Sequence, residues 1–175
     1  MTLDDKQLKR AKQEAAQKTS QIRKSGLPFY CAILEESQGD MAALMAGMTA
    51  ANAVVKNKTT GEIIRDLTAD VGKLFLSSDD DRLVVVTYVP AGRALTAAEW
   101  CQRIVTKYGG TINVDVAVGD DMACGTIPND PNAGIYVFKL RDQIVSEEYA
   151  ALRSAGLLRE AADEDDELYG DDVFE

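Results

Sequence analysis

Apolar and polar positions along the chain change period several times, and each period predicts an element. Residues 3–25 are mostly Ala, Gln, Lys, Arg and Glu, with a thin apolar stripe of Leu8, Ala11, Ala15 and Ile22. This is the pattern of a long, largely solvated helix: an extension, a linker or half of an antiparallel pair. Gly26 and Pro28 in "SGLP" end it. "PFYCAILEE" (28–36) is a buried-strand run of aromatic and branched residues. "SQGD" then turns the chain and places Asp40 to cap a helix. In that helix Met41, Leu44, Met45, Met48, Ala51 and Val55 recur at i, i+3, i+4, i+7. The methionine stripe reads as core rather than binding groove, because the opposite face offers only small residues. "TTGEIIRDLTADV" (59–71) fits a short helix best. "GKLFLSS" and "RLVVVTYVP" flank "DDD" and read as a hairpin whose acidic tip is a solvated turn.

"LTAAEWCQRIVTKYGG" (95–110) announces its own helix. Thr96 and Glu99 stand at capping-box spacing, and Leu95 and Trp100 at hydrophobic-staple spacing. Trp100, Cys101, Ile104, Val105 and Tyr108 form the buried face, and Gly109 suits the left-handed stop. "TINVDVAVG" alternates, with Ile112, Val114, Val116 and Val118 on one side, as a half-exposed strand does. Residues 119–134 are rich in Gly, Pro, Asn and Asp and read as a loop. "IYVFKL" is compatible with a final strand, which leaves the last element of the order open between β and α. "RDQIVSEEYAALRSAGLL" reads as a helix that packs through Ile144, Tyr149, Leu152 and Leu157. The order predicts an α/β fold, a mixed β-sheet packed against helices and preceded by a long N-terminal helix. Three segments follow: a basic helix (1–25), a globular domain (26–158) and an acidic tail (159–175) predicted to be disordered.

Charge refines this division. The chain carries 29 acids and 19 bases, a net charge of −10. Residues 160–175 hold nine of those acids and no base, so the rest of the chain has 20 acids against 19 bases. Residues 1–25 hold seven bases against three acids. The head is therefore basic and the end strongly acidic. The apolar runs are too short to span a membrane, and the charged N-terminal stretch lacks a secretory apolar region, so a cytoplasmic protein is expected.

Catalytic chemistry finds little support. The chain has no histidine, and Cys31, Cys101 and Cys124 are far apart, which argues against a zinc site and for buried thiols. No G-x-S-x-G, P-loop or H-E-x-x-H motif occurs. Glu35 and Glu36 are adjacent at a strand end and face opposite ways. No catalytic residue, cofactor or metal is assigned.

The ordered string from "LFLSSDDDRLVVVTYVPAGRALTAAEW" to "CQRIVTKYGG" resembles the C-terminal domain of alanyl-tRNA synthetase, often called C-Ala, of the eukaryotic cytosolic type. The upstream "LKRAKQEAAQ" and "LPFYCAILEE" look like the family's long helix and first strand. The resemblance covers roughly residues 5–119, with a weaker stretch to about 158. It implies a non-catalytic module of a cytosolic alanine–tRNA ligase that contacts alanine-specific tRNA near its elbow. Catalytic and editing domains of the parent synthetase would be its partners, with no membrane involved. The family's glycine-rich loop after the helix commonly carries a lysine; Gly109, Gly110, Ala117 and Gly119 match that loop, whereas Thr111 stands at the lysine position and Asp115 adds negative charge. On this reading Gly110 is surplus to stopping the helix and is kept for backbone contact with RNA. The residues expected to meet nucleic acid are Lys6, Lys9, Arg10 and Lys12 on the leading helix, and Arg93, Arg103, Lys107, Gly109, Gly110 and Thr111 around the glycines. The lost lysine leaves a second reading open: a protein-interaction or dimerisation module, dimeric through the N-terminal helix, that has largely lost RNA binding.

Overall fold

The computed structural model describes residues 4–53, 55–65, 69–114 and 118–158. The expected acidic tail, residues 159–175, lies outside them. The described chain runs α1 (Asp5–Ser20), α2 (Ile22–Ser25), β1 (Phe29–Ile33), α3 (Met41–Asn52), β2 (Val55–Lys56), β3 (Ile63–Arg65), β4 (Gly72–Ser78), β5 (Arg82–Tyr88), α4 (Ala97–Lys107), β6 (Thr111–Ile112), β7 (Met122–Pro128), a 3-10 turn (Pro131–Ala133) and α5 (Val137–Ser154). Five strands form one sheet in the order β1-β4-β5-β7-β6, with β1 parallel to β4 and every other pair antiparallel. The mixed α/β fold is thus as the pattern predicts.

Side-chain alternation divides the core in two. Phe29, Cys31, Leu74, Leu76, Leu83 and Val85 face α4 and α5, where Trp100, Ile104, Leu140 and Ile144 meet them. Ala32, Leu34, Phe75, Val84 and Val86 face the other way, toward Ala15, Leu44, Met48 and Ala51 of α1 and α3. All three cysteines are free and buried.

The leading helix starts on a capping box, in which Gln7 N–H donates to Asp4 Oδ1 at 2.7 Å and Asp4 N–H to Gln7 Oε1 at 3.3 Å. It breaks at Gln21, and Gly26 closes α2 at φ 64°. Ala11, Ala15 and Ala16 are buried on α3, whose Gly47 lets the two helices approach closely. The Glu14 carboxylate accepts from the Glu35 and Glu36 amides at 3.0 and 2.9 Å, and Lys18 Nζ donates to the Ile33 carbonyl at 2.5 Å. These bonds tie α1 to the end of β1, so α1 forms an outer layer of the sandwich.

Four predicted elements differ. The 59–71 stretch contains β3, paired antiparallel with β2, where a short helix was expected; Val55 belongs to β2 and not to the α3 face. The 119–134 "loop" contains β7, a seven-residue strand between β5 and β6. "IYVFKL" opens α5 instead of forming a strand. Among the described residues the alternation in 111–119 yields the two residues of β6, an edge strand, and Val114 just past it is 84% exposed. Val116 lies outside the described residues.

On the α3 side of β4, Lys73 is wholly buried. Its Nζ donates to Asn52 Oδ1 at 2.6 Å and to the Val71 carbonyl at 3.0 Å, and sits 5.0 Å from the centre of the Tyr88 ring. Burial pushes the Lys73 ammonium down to about 7, against the opposing pull of Asp70. Between that value and the ordinary lysine range the unfolded chain holds a proton that the folded chain does not, so stability gains with rising pH. The buried Cys31 and Cys101 thiols are shifted up and act oppositely above about pH 8.5. Comparing the chain with Lys73→Met isolates the lysine. Its urea-unfolding free energy relative to that variant should rise from pH 7 to 9 by at most about 1.4 kcal/mol per unit. A flat difference would show that Lys73 stays charged.

Candidate nucleic-acid interface

The cations proposed from sequence fall into two groups on opposite faces of the sheet. Lys6, Lys9, Arg10 and Lys12 are exposed on α1. Helical geometry with alanines buried at 11, 15 and 16 turns Lys6 and Arg10 away from α3, whereas Lys12 shares the alanines' face and is exposed, with Lys9, at the edge of the α1–α3 contact. No ion pair joins any of the four to a described acid. Beside them a groove of about 510 Å³ runs between α1 and α3, lined by Lys9, Lys12, Gln13, Ala16, Gln17 and Ala50.

The second group is already engaged. Arg103 Nη2 donates to Glu148 Oε2 at 2.5 Å, and Trp100 Nε1 donates to the same oxygen at 2.8 Å. Lys107 Nζ donates to Glu147 Oε2 at 2.9 Å, with the Tyr108 hydroxyl on that oxygen and Gln143 Nε2 on Oε1 at 2.8 Å. Desolvation works against the Glu147 charge, but the donated bonds from Tyr108, Gln143 and Lys107 outweigh it and hold the carboxyl down to about 2. Arg103 and Lys107, one turn apart on α4, therefore clamp α4 to α5. Arg93 is exposed in the loop before α4 and donates to the Asp70 carbonyl at 2.6 Å. It lines a cavity of about 440 Å³ with Pro90, Leu95, Asp120 and Asp121, whose two carboxylates disfavour phosphate.

The glycine pair has a structural explanation that corrects the sequence reading. Gly109, at φ 73°, is the left-handed residue past the helix end. Its N–H donates to the Thr106 carbonyl at 3.4 Å, and the Gly110 N–H donates to the Val105 carbonyl at 2.7 Å. Together these form a Schellman motif, so Gly110 takes part in the stop and its amide is occupied. A side chain on Gly110 would collide with the Thr126 carbonyl and with Ile127 of β7. Thr111 begins β6, opposite Thr126, with its side chain exposed. Gly110→Ala should consequently destabilise by about 1–3 kcal/mol through overpacking. Gly109→Ala should cost about 1 kcal/mol for its left-handed backbone. Urea midpoints measure both; a neutral Gly110→Ala would show that the contact relaxes freely.

Compared with known proteins, the chain matches no family model and no curated protein. The functional reading rests on the residues themselves and on the resemblance in their order.

Among the described residues no group of acids and cysteines is placed to hold a metal. The Asp79–Asp81 tip is a local turn: Asp79 Oδ1 accepts from the Asp81 and Arg82 amides at 2.8 and 2.9 Å. Sequence reasoning missed the Glu147–Glu148 pair and Lys73. An adjacent acid pair on a helix resembles any solvated face, and only the fold brings it to α4. Among the described residues no helix is long and apolar enough to cross a membrane.

Proposed function

We propose that this chain is a non-catalytic tRNA-contacting module of the C-Ala type, acting in the cytoplasm beside the catalytic and editing domains of an alanine–tRNA ligase. The observation that carries the reading is the exposed cationic face of α1. Lys6, Lys9, Arg10 and Lys12 are exposed near the start of α1, none within ion-pair distance of a described acid, on a helix that packs against α3. Such a surface engages a phosphate backbone without reading bases. Supporting groups in the adjoining groove, Gln13, Gln17 and Ser20, supply neutral donors for phosphate and ribose oxygens. The α4 end contributes less, since Arg103 and Lys107 are held by α5 and the Gly110 amide by α4.

Filter binding with an alanine-specific tRNA at low salt tests the proposal. Replacing Lys6, Lys9, Arg10 and Lys12 by Gln should abolish most retention, whereas Arg103→Gln with Lys107→Gln should change it little. The reverse ranking would move the contact surface to α4, and no binding by the parent chain would refute it.

A further inference from the structure

We propose that the acidic segment 159–175 of this chain docks along the α1 face and the α1–α3 groove as an intramolecular counterpart to the phosphate backbone. The inference rests on the preceding reading only in identifying α1 as an anion-binding surface. Charge complementarity is its first support. Nine acids and no base lie in residues 160–175, and α1 presents a cluster of cations unpaired among the described residues. Of the other cations whose side chains are described, none offers a comparable target: Lys18 is paired with Glu14 and Lys73 is buried. Arg82, Arg103, Lys107 and Arg141 are paired with Asp79, Glu148, Glu147 and Glu35, and Arg93 donates to a carbonyl. Lys58, with Lys56 two residues before it, and Arg153 are exposed but belong to no basic run of comparable size, and Lys139 lies over the Tyr136 ring.

Length and spacing agree. Leu158 is anchored in the apolar cluster that also holds Phe29 of the edge strand β1. The 17 residues beyond it reach roughly 55 Å when extended. A domain of this size has a radius of gyration of about 15 Å, so the segment can pass the β1 edge to the α1 layer. Asp163, Glu164, Asp165, Asp166 and Glu167 span roughly 13 Å when extended, and Lys6 to Lys12 roughly 9 Å along the helix. Leu168 and Tyr169 follow the acids directly, and Ala16, Ala50 and Ala53 give the groove an apolar floor for one of them. Docked there, the segment competes with RNA for the same cations.

Zero-length carbodiimide cross-linking of the full chain, without RNA, tests this. Lys107 and Glu147, 2.9 Å apart, are the internal positive control. In the monomeric product at low salt, acids of 160–175 should link mainly to Lys6, Lys9 and Lys12, and the links should vanish at about 0.5 M NaCl. In a Lys9→Glu, Lys12→Glu chain, the links to Lys6 should fall at least about fivefold. Links spread equally over Lys58 and Lys139, or none while the Lys107–Glu147 link forms, would overturn the proposal. Because no RNA is present, that failure leaves the RNA reading standing, and failure of RNA binding leaves this result standing.

Discussion

Trp100→Ala should lower the unfolding free energy by about 4 kcal/mol, the largest stability loss expected from a single substitution here. Trp100 is fully buried beneath α5 and meets the Phe29 ring edge-on, with centroids 5.5 Å apart at 84°. That contact contributes about 1 kcal/mol beyond area burial. Its indole N–H also satisfies Glu148, a carboxylate only 8% exposed, at 2.8 Å. Truncation therefore leaves a cavity at the junction of β1, α4 and α5 and removes one of two donors to a buried charge. Trp100→Phe should cost less, about 1–3 kcal/mol, because the ring volume largely remains while the donor goes. Since Trp100 is the sole tryptophan, far-ultraviolet circular dichroism must follow both variants. A cost for Trp100→Ala below about 1 kcal/mol would mean that the α4–α5 seam collapses without penalty.

The same helix shows how far the sequence discloses the fold. Its start was legible because the signals are local: Thr96 and Glu99 form both capping bonds, and Leu95 packs against the cluster that holds Trp100. The β4–β5 hairpin was legible for the same reason, as two apolar runs around one polar turn. Strand β7 was not, because its composition answers to a distant helix. A methyl on Gly125 would lie 2.7 Å from Val105 Cγ1 and 2.9 Å from the Thr111 carbonyl oxygen, so small residues occupy a central strand and imitate a loop. The start of α5 was ambiguous because "IYVFKL" is too short to show a period; only with Ile144 does the spacing of Val137 and Leu140 become helical. For the candidate interface, sequence located every cation but ranked none. What separates Lys9 from Lys107 is an acid forty residues away that packing brings alongside.

That distinction carries the second large effect. Replacing Lys6, Lys9, Arg10 and Lys12 together by Gln should weaken tRNA binding on the order of 100-fold at about 50 mM monovalent salt. All four side chains are exposed, so the fold should be unaffected, with unfolding free energy changed by less than about 1 kcal/mol. Exposed lysines contribute to an RNA contact chiefly by displacing counterions, and that contribution has a signature which shape or hydrogen bonding lacks. The most direct test is the slope of log K against log salt concentration for the parent chain and the variant. The parental slope should be steep, become shallower by about 3 when the four α1 charges are removed, and stay nearly unchanged in the Arg103→Gln, Lys107→Gln chain. Equal slopes for the parent and the α1 variant would contradict contact through α1.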